Sequence, residues 1–190
     1  MDRDGVLVEN RDSYIREPAD VRRIRGTGPA LRAIQERGIP IVIVSNQSAA
    51  GRRLISLAET VEIHRHVLRL LAADGIYPAC SLICPHHPDD GCRCRKPAPG
   101  MPLAAAAAHG LDLPRSCLVG DARSDVAVAR RAGVGRAFLV TTGRGAREAE
   151  LMSATERRSV TLSEDLAAAV GTWIAGSHRA QRARESGSSQ

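Results

Sequence analysis

Aromatic side chains are scarce in this chain: one tryptophan, two tyrosines and one phenylalanine in 190 residues. Any core must therefore be aliphatic, and the stacking platforms that single-stranded nucleic acids use are missing. Lysine is scarcer still, because of 27 Lys and Arg residues only Lys96 is a lysine. No apolar run approaches the ~18–20 residues of a membrane span, and no signal-peptide pattern opens the chain. A cytoplasmic protein with no membrane partner is the expectation. In that compartment the five cysteines are expected as thiols or metal ligands rather than disulfides.

What is present is ordinary for a globular protein: 43% hydrophobic and 25% charged residues. The length suits one domain that needs no staples, here residues 1–175, followed by a polar tail over 176–190 that is expected to be disordered. A net charge of +6 raises the question of nucleic acid. The basic residues are spread along the chain, however, and much of the excess falls in the tail at His178, Arg179, Arg182 and Arg184. A phosphorylated small molecule is the expected partner, and not DNA or RNA.

Short aliphatic runs alternate with longer amphipathic ones. Strands are expected over 40–45, 79–84, 117–120, 136–140 and 159–162, and helices over 27–37, 54–74, 101–109, 125–132, 148–155 and 164–175. Strands alternating with helices predict an α/β fold, a Rossmann-like parallel sheet with helices on both faces. Ligand sites in such sheets lie beyond the carboxyl ends of the strands. Residues 45–47, 84–96 and 120–121 all follow predicted strands, so they are expected to converge.

Four clusters carry chemistry. In Asp2-Arg3-Asp4-Gly5, two carboxylates sit two residues apart; one can attack phosphorus while the other delivers and removes a proton. Taken alone, the same letters describe a solvated acidic turn. Ser45-Asn46-Gln47-Ser48 offers a hydroxyl, amides and free N–H groups to phosphate oxygens, although an ordinary helix cap reads the same way. Lys96 is a compact cation for a phosphoryl group in transfer. Gly120-Asp121, with Asp125 four residues on, is suited to Mg2+, with Asp2 and Asp121 as side-chain ligands and the carbonyl of Asp4 as a further oxygen. Asp125 either supports that site or is an exposed helix carboxylate.

In this order, and together with Cys84-Pro85-His86-His87-Pro88 and Cys94-Arg95-Lys96-Pro97, these motifs resemble the haloacid dehalogenase superfamily of phosphatases. Within it they are similar to the heptose bisphosphate 7-phosphatases and the neighbouring histidinol-phosphate phosphatases. The resemblance spans about residues 1–143. It implies a capless enzyme, expected as a monomer, that hydrolyses the 7-phosphate of a D-glycero-heptose 1,7-bisphosphate through an aspartyl-phosphate. Asp2 would be the nucleophile and Asp4 the general acid and then base. Ser45 and Lys96 would steady the phosphoryl group. Asn46, Gln47, Ser48 and Arg95 would face substrate, and Mg2+ would sit on Asp2, Asp4 and Asp121. Histidinol phosphate is the alternative substrate, and a catalytically inactive zinc-loop homologue the alternative class.

Cys84, His86, Cys92 and Cys94 put three sulfurs and one imidazole within eleven residues, enough to close a structural tetrahedral Zn2+ site with no open position. His87 is expected to face solvent, and Cys80 and Cys117 to be core thiols. Three departures from the family's pattern stand out. The resemblance implies an apolar strand ahead of Asp2, so the natural start is expected upstream of Met1. Ala49-Ala50 replaces a glycine after the second motif. Ala122 stands where a lysine is common, with Arg123 as a candidate substitute.

Overall fold

Two parallel β-sheets, rather than the single one expected, carry the strands. In one, β1 (Val42–Asn46) pairs with β2 (Cys80–Cys84); in the other, β3 (Cys117–Gly120), β4 (Arg136–Val140) and β5 (Thr161–Ser163) run side by side. Every pairing is parallel. The computed structural model describes the backbone of residues 1–187 and the side chains of residues 1–176.

Between β1 and β3 lies the seam of the molecule, bridged along the backbone by Met1 and Asp2. The Met1 amino group donates to the Val42 carbonyl at 2.7 Å, the Val44 N–H donates to the Met1 carbonyl, and the Asp2 N–H donates to the Val119 carbonyl, both at 2.9 Å. Two residues of extended backbone make too few rungs to count as a strand, which is why one sheet becomes two. Behind them opens a cleft of about 770 Å³ lined by Ile41, Val42, Val44, Cys117, Leu118 and Trp173.

Alternation along each buried strand sends successive side chains to opposite faces. Ile43, Val119, Phe138 and Val140 join one apolar cluster, with Leu31, Ile63, Leu71 and Leu166. Their neighbours Val44, Leu118, Ala137 and Leu139 join the other, with Met101, Val126 and Ala129. Helices α1 (Thr27–Gln35), α2 (Leu57–Ala73) and α7 (Leu166–Gly187) thus cover the first face. Helices α3 (Gly100–His109) and α4 (Arg123–Ala132) cover the second. Phe138 is the single aromatic ring buried in either cluster, as the composition requires.

The helix expected over 148–155 is instead two short ones, α5 (Gly145–Glu150) and α6 (Ala154–Arg158). Ser153 caps the second, accepting from the Glu156 N–H while the Glu156 carboxylate accepts from the Ser153 N–H. A second capping box, Ser56 with Glu59, starts α2 three residues later than expected. Helix α7 extends through most of the segment expected as a disordered tail, a stretch rich in Ala, Arg and Gln, which are good helix formers; residues 188–190 of that tail lie outside the described ones. Among the described residues no helix is long and apolar enough to cross a membrane.

One buried group on α2 makes stability depend on pH. His64 packs toward β2 with Nε2 2.7 Å from the Ser81 hydroxyl. Burial, with the nearby Arg3 charge, brings its pKa down from 6.5 to about 4. The folded chain therefore takes up this proton less readily than the unfolded chain does. The resulting stability is complete above pH 6.5 and drains away as pH falls toward 4, by up to about 3 kcal/mol. In His64→Gln the fall in melting temperature between pH 7 and pH 4.5 should shrink by several degrees; an unchanged acid limb would refute the assignment.

Candidate active site

Asp2, Ser45 and Asp121 all sit just beyond or at strand ends on the same edge, and Lys96 reaches that edge from the loop after β2. The structure brings these side chains together. Lys96 Nζ lies 2.7 Å from Asp2 Oδ2 and 2.6 Å from Asp125 Oδ1. Its side chain is 1% exposed, so this ammonium is deeply buried between two carboxylates. Burial works against its charge, but Asp125 and Asp2 outweigh burial and raise its pKa. For Asp2, burial would favour the acid form; Lys96, the Arg3 N–H and Ser45 overcome it and hold the carboxyl below its ordinary value. Asp2 is thus an ionised, desolvated carboxylate, as a nucleophile requires.

Asp125 belongs to this core, not to an exposed helix face. It accepts from Lys96 and, through Oδ2, from the Ala122 N–H at 3.1 Å. Burial raises its pKa to about 6 despite Lys96.

Asp121 is enclosed by two glycines in left-handed conformations, Gly5 (φ +79) and Gly143 (φ +59). A Cβ at either position would overlap its carboxylate, so glycine is required at both. Its Oδ2 accepts from the Arg144 N–H at 2.9 Å. Its Oδ1 is buried with no hydrogen-bond partner, although the Arg144 guanidinium stands 3.6 Å away, and burial, then the Asp2 charge, raises its pKa. Asp2, Asp121 and Asp125 offer carboxylate oxygens within 4.8 Å of one another. A buried, orphaned carboxylate oxygen in an all-oxygen cluster fits a hard divalent cation.

The motif over 45–48 divides its labour differently from expectation. Asn46 clamps the main chain of Lys96, with Nδ2 donating to the Lys96 carbonyl and Oδ1 accepting from its N–H, both at 3.0 Å. Gln47 Nε2 donates to Asp4 Oδ2 at 2.8 Å and to Ser45 Oγ at 2.9 Å. Both amides, assigned to substrate from the sequence, are here engaged with other site residues. Ser48 is buried. Arg95 keeps a buried guanidinium nitrogen, Nη1, without a partner, which suits an anionic ligand. Asp4 stands outside the carboxylate cluster: Arg3 donates to both its oxygens, at 2.7 and 3.0 Å. Arg123, the candidate substitute for a missing lysine, is held by Glu156 at 2.9 Å.

Arg3 and Arg144 carry no role in the sequence reading. Arg144 was within reach of it, because Thr141-Thr142-Gly143-Arg144 also follows a strand end.

The second cluster closes on itself. Cys94 Sγ lies 3.3 Å from Cys84 Sγ, 3.5 Å from Cys92 Sγ and 3.2 Å from His86 Nδ1. Cys84 Sγ lies 3.6 Å from Cys92 and 3.5 Å from His86. These edges approach the ~3.7 Å sulfur spacing of a tetrahedral thiolate zinc site. Burial pushes the Cys84 thiol up to about 12, so a thiolate there needs a cation beside it. His87 is turned away, accepting from the Asp89 N–H at the start of a 3-10 turn.

A model of the HAD-hydrolase-like family matches residues 93–169. The chain is 36% identical over 145 residues to a D-glycero-beta-D-manno-heptose-1,7-bisphosphate 7-phosphatase of Bordetella bronchiseptica, covering 76% of this chain and 80% of that one. It is 37% identical over 133 residues to a D-glycero-alpha-D-manno-heptose-1,7-bisphosphate 7-phosphatase of Mycobacterium tuberculosis, covering 68% and 69%. The crystal structure of a D,D-heptose 1,7-bisphosphate phosphatase from B. bronchiseptica, complexed with magnesium and phosphate, superposes with a TM-score of 0.85 at 33% identity, over 92% of this chain and 96% of that one.

Proposed function

We propose a function from one premise: the chain belongs to the HAD-hydrolase-like family, the haloacid dehalogenase-type hydrolases. The activity is hydrolysis of a phosphate monoester, and the substrate is a D-glycero-D-manno-heptose 1,7-bisphosphate, cleaved at the 7-phosphate. One observation carries this reading: the buried Asp2 carboxylate meets the Lys96 ammonium at 2.7 Å beside the carboxylate oxygens of Asp121 and Asp125.

An oxygen of Asp2 attacks phosphorus, and the bond from phosphorus to the sugar oxygen breaks. Asp4 gives its proton to that leaving oxygen, which departs as the alcohol. Asp4 then takes a proton from water as the water attacks the aspartyl-phosphate, releasing phosphate, freeing the Asp2 carboxylate and returning Asp4 to its acid form. Lys96 offsets charge on the transferring group. Mg2+, held by Asp2, Asp121 and the main-chain oxygen of Asp4, would supply further positive charge for the phosphoryl oxygens when bound. Arg95, with its unpaired nitrogen, binds the sugar phosphate.

Phosphate release from both anomers of the heptose bisphosphate and from histidinol phosphate tests the substrate. We expect kcat/KM for one heptose anomer to exceed that for histidinol phosphate by about 100-fold or more. The opposite order would reassign the substrate.

Cys84, His86, Cys92 and Cys94 hold a structural Zn2+ that orders the loop leading into Arg95 and Lys96. Stripping zinc with a chelator and then restoring excess Mg2+ should leave kcat about 10-fold or more below the starting value. Stoichiometric Zn2+ should recover it, and Co2+ should give a tetrahedral thiolate spectrum. Full activity after stripping would show that the loop orders itself.

A further inference from the structure

Arg3 lies between the two aspartates in sequence and is the largest fully buried side chain in the molecule. A guanidinium cannot shed its proton, so its burial needs acceptors fixed in place. It has three. Nε and Nη2 reach Asp4 Oδ1 and Oδ2 at 2.7 and 3.0 Å, and Nη2 also reaches Gln47 Oε1 at 2.6 Å. Because Arg3 only donates, the Gln47 amide has one satisfying orientation, with Oε1 toward Arg3 and Nε2 left to face Asp4. Nε2 then also donates to Ser45 Oγ. Ser45 in turn is one of the neighbours that lower the pKa of Asp2. Meanwhile the Arg3 main-chain N–H donates to Asp2 Oδ1 at 2.7 Å.

We propose that Arg3 and Gln47 are positioning residues for proton transfer: together they hold Asp4 in place as the acid and base of the reaction and tie its orientation to that of Ser45 and Asp2. The inference rests on the phosphatase reading above. Arg3 thus touches both carboxylates, with its side chain at Asp4 and with its main-chain N–H at Asp2. The other titratable neighbour on this side is His64 of α2, kept neutral by burial, whose electrostatic partners are Arg3 and Asp4. The arrangement separates two jobs. Lys96 and Asp125 hold the nucleophile, and Arg3 and Gln47 hold the proton carrier.

Leaving-group dependence tests this. A sugar alkoxide cannot depart without a proton, whereas p-nitrophenolate departs unaided. A misplaced Asp4 therefore slows the first step for the sugar phosphate and spares it for the aryl phosphate. In Arg3→Lys and in Gln47→Met, kcat on the heptose bisphosphate should fall by about 100-fold, within the range of general acid–base contributions, with KM changed by less than about threefold. The first-turnover burst of p-nitrophenolate should stay within about threefold of the parent rate. Gln47→Met is close in shape to the original, so it keeps the test open if Arg3→Lys folds poorly; melting curves identify that case. Equal losses on both substrates, or a loss confined to KM, would overturn the positioning role while leaving the phosphatase reading intact. A parent chain that released phosphate from neither compound would sink the reading and this inference with it.

Discussion

Replacing Asp2 by asparagine is expected to lower phosphate release by about four to six orders of magnitude, the scale of losing a catalytic nucleophile, while the protein stays folded. The second half of that statement is the informative one. Asp2 is buried among like charges: it raises the pKa of both Asp121 and Asp125. Neutralising it removes that repulsion, and Lys96 keeps Asp125 as a partner at 2.6 Å. The Oδ1 acceptor for the Arg3 N–H is retained in asparagine. Stability should therefore change by less than about 2 kcal/mol, read as a melting temperature within a few degrees of the parent. Residual turnover above that floor, in a folded variant, would remove Asp2 from the role of nucleophile.

Lys96→Met should do the reverse on stability. The ammonium is the shared counter-ion of two buried carboxylates, and the methionine side chain fills a similar volume with no charge. Two carboxylates are then left in low dielectric facing each other and Asp121. Removing one partner from a buried ion pair costs about 3–5 kcal/mol, which for a chain of this size lowers the melting temperature by about 6–20 °C. Activity should disappear as well. Millimolar Mg2+ should restore part of the stability and none of the activity, because a metal at Asp2 and Asp121 offsets charge without replacing the ammonium on the phosphoryl group. A melting temperature unchanged from the parent would mean that Asp125 and Asp2 are held by something other than Lys96.

The elements of the fold were legible in the sequence because aliphatic runs and glycine stops mark them. Strands β3 and β4 are where periodicity puts them. The break at Ser153 was legible too: serine followed three residues later by glutamate is a capping box, and reading 148–155 as one helix overlooked it. The division into two sheets was partly readable, since the resemblance implies an apolar strand ahead of Asp2 where β1 and β3 are bridged by Met1 and Asp2 alone among the described residues. The meeting of Ser45, Lys96 and Asp121 followed from placing polar clusters at strand ends, whereas Asp2 was joined to them by the family resemblance. What the letters hid was which amide serves which partner. Asn46 and Gln47 are adjacent and chemically alike, yet one clamps the Lys96 main chain and the other joins Asp4 to Ser45. Successive residues at a strand end point in opposite directions, so the difference arises from geometry and not from composition. Arg3 went unassigned for a related reason: a motif with alternate aspartates invites no question about the residue between them.

The seam between β1 and β3 has a bearing on how this enzyme would fail when heated. The nucleophile rides on the few backbone bonds that cross this seam, whereas Asp121 and Asp125 belong to the half built on β3. A slight parting of the halves would carry Asp2 away from its partners before any helix melts, since local openings need only a fraction of the global unfolding free energy. Heat inactivation should thus run several degrees ahead of the loss of helical circular dichroism, and it should reverse on cooling.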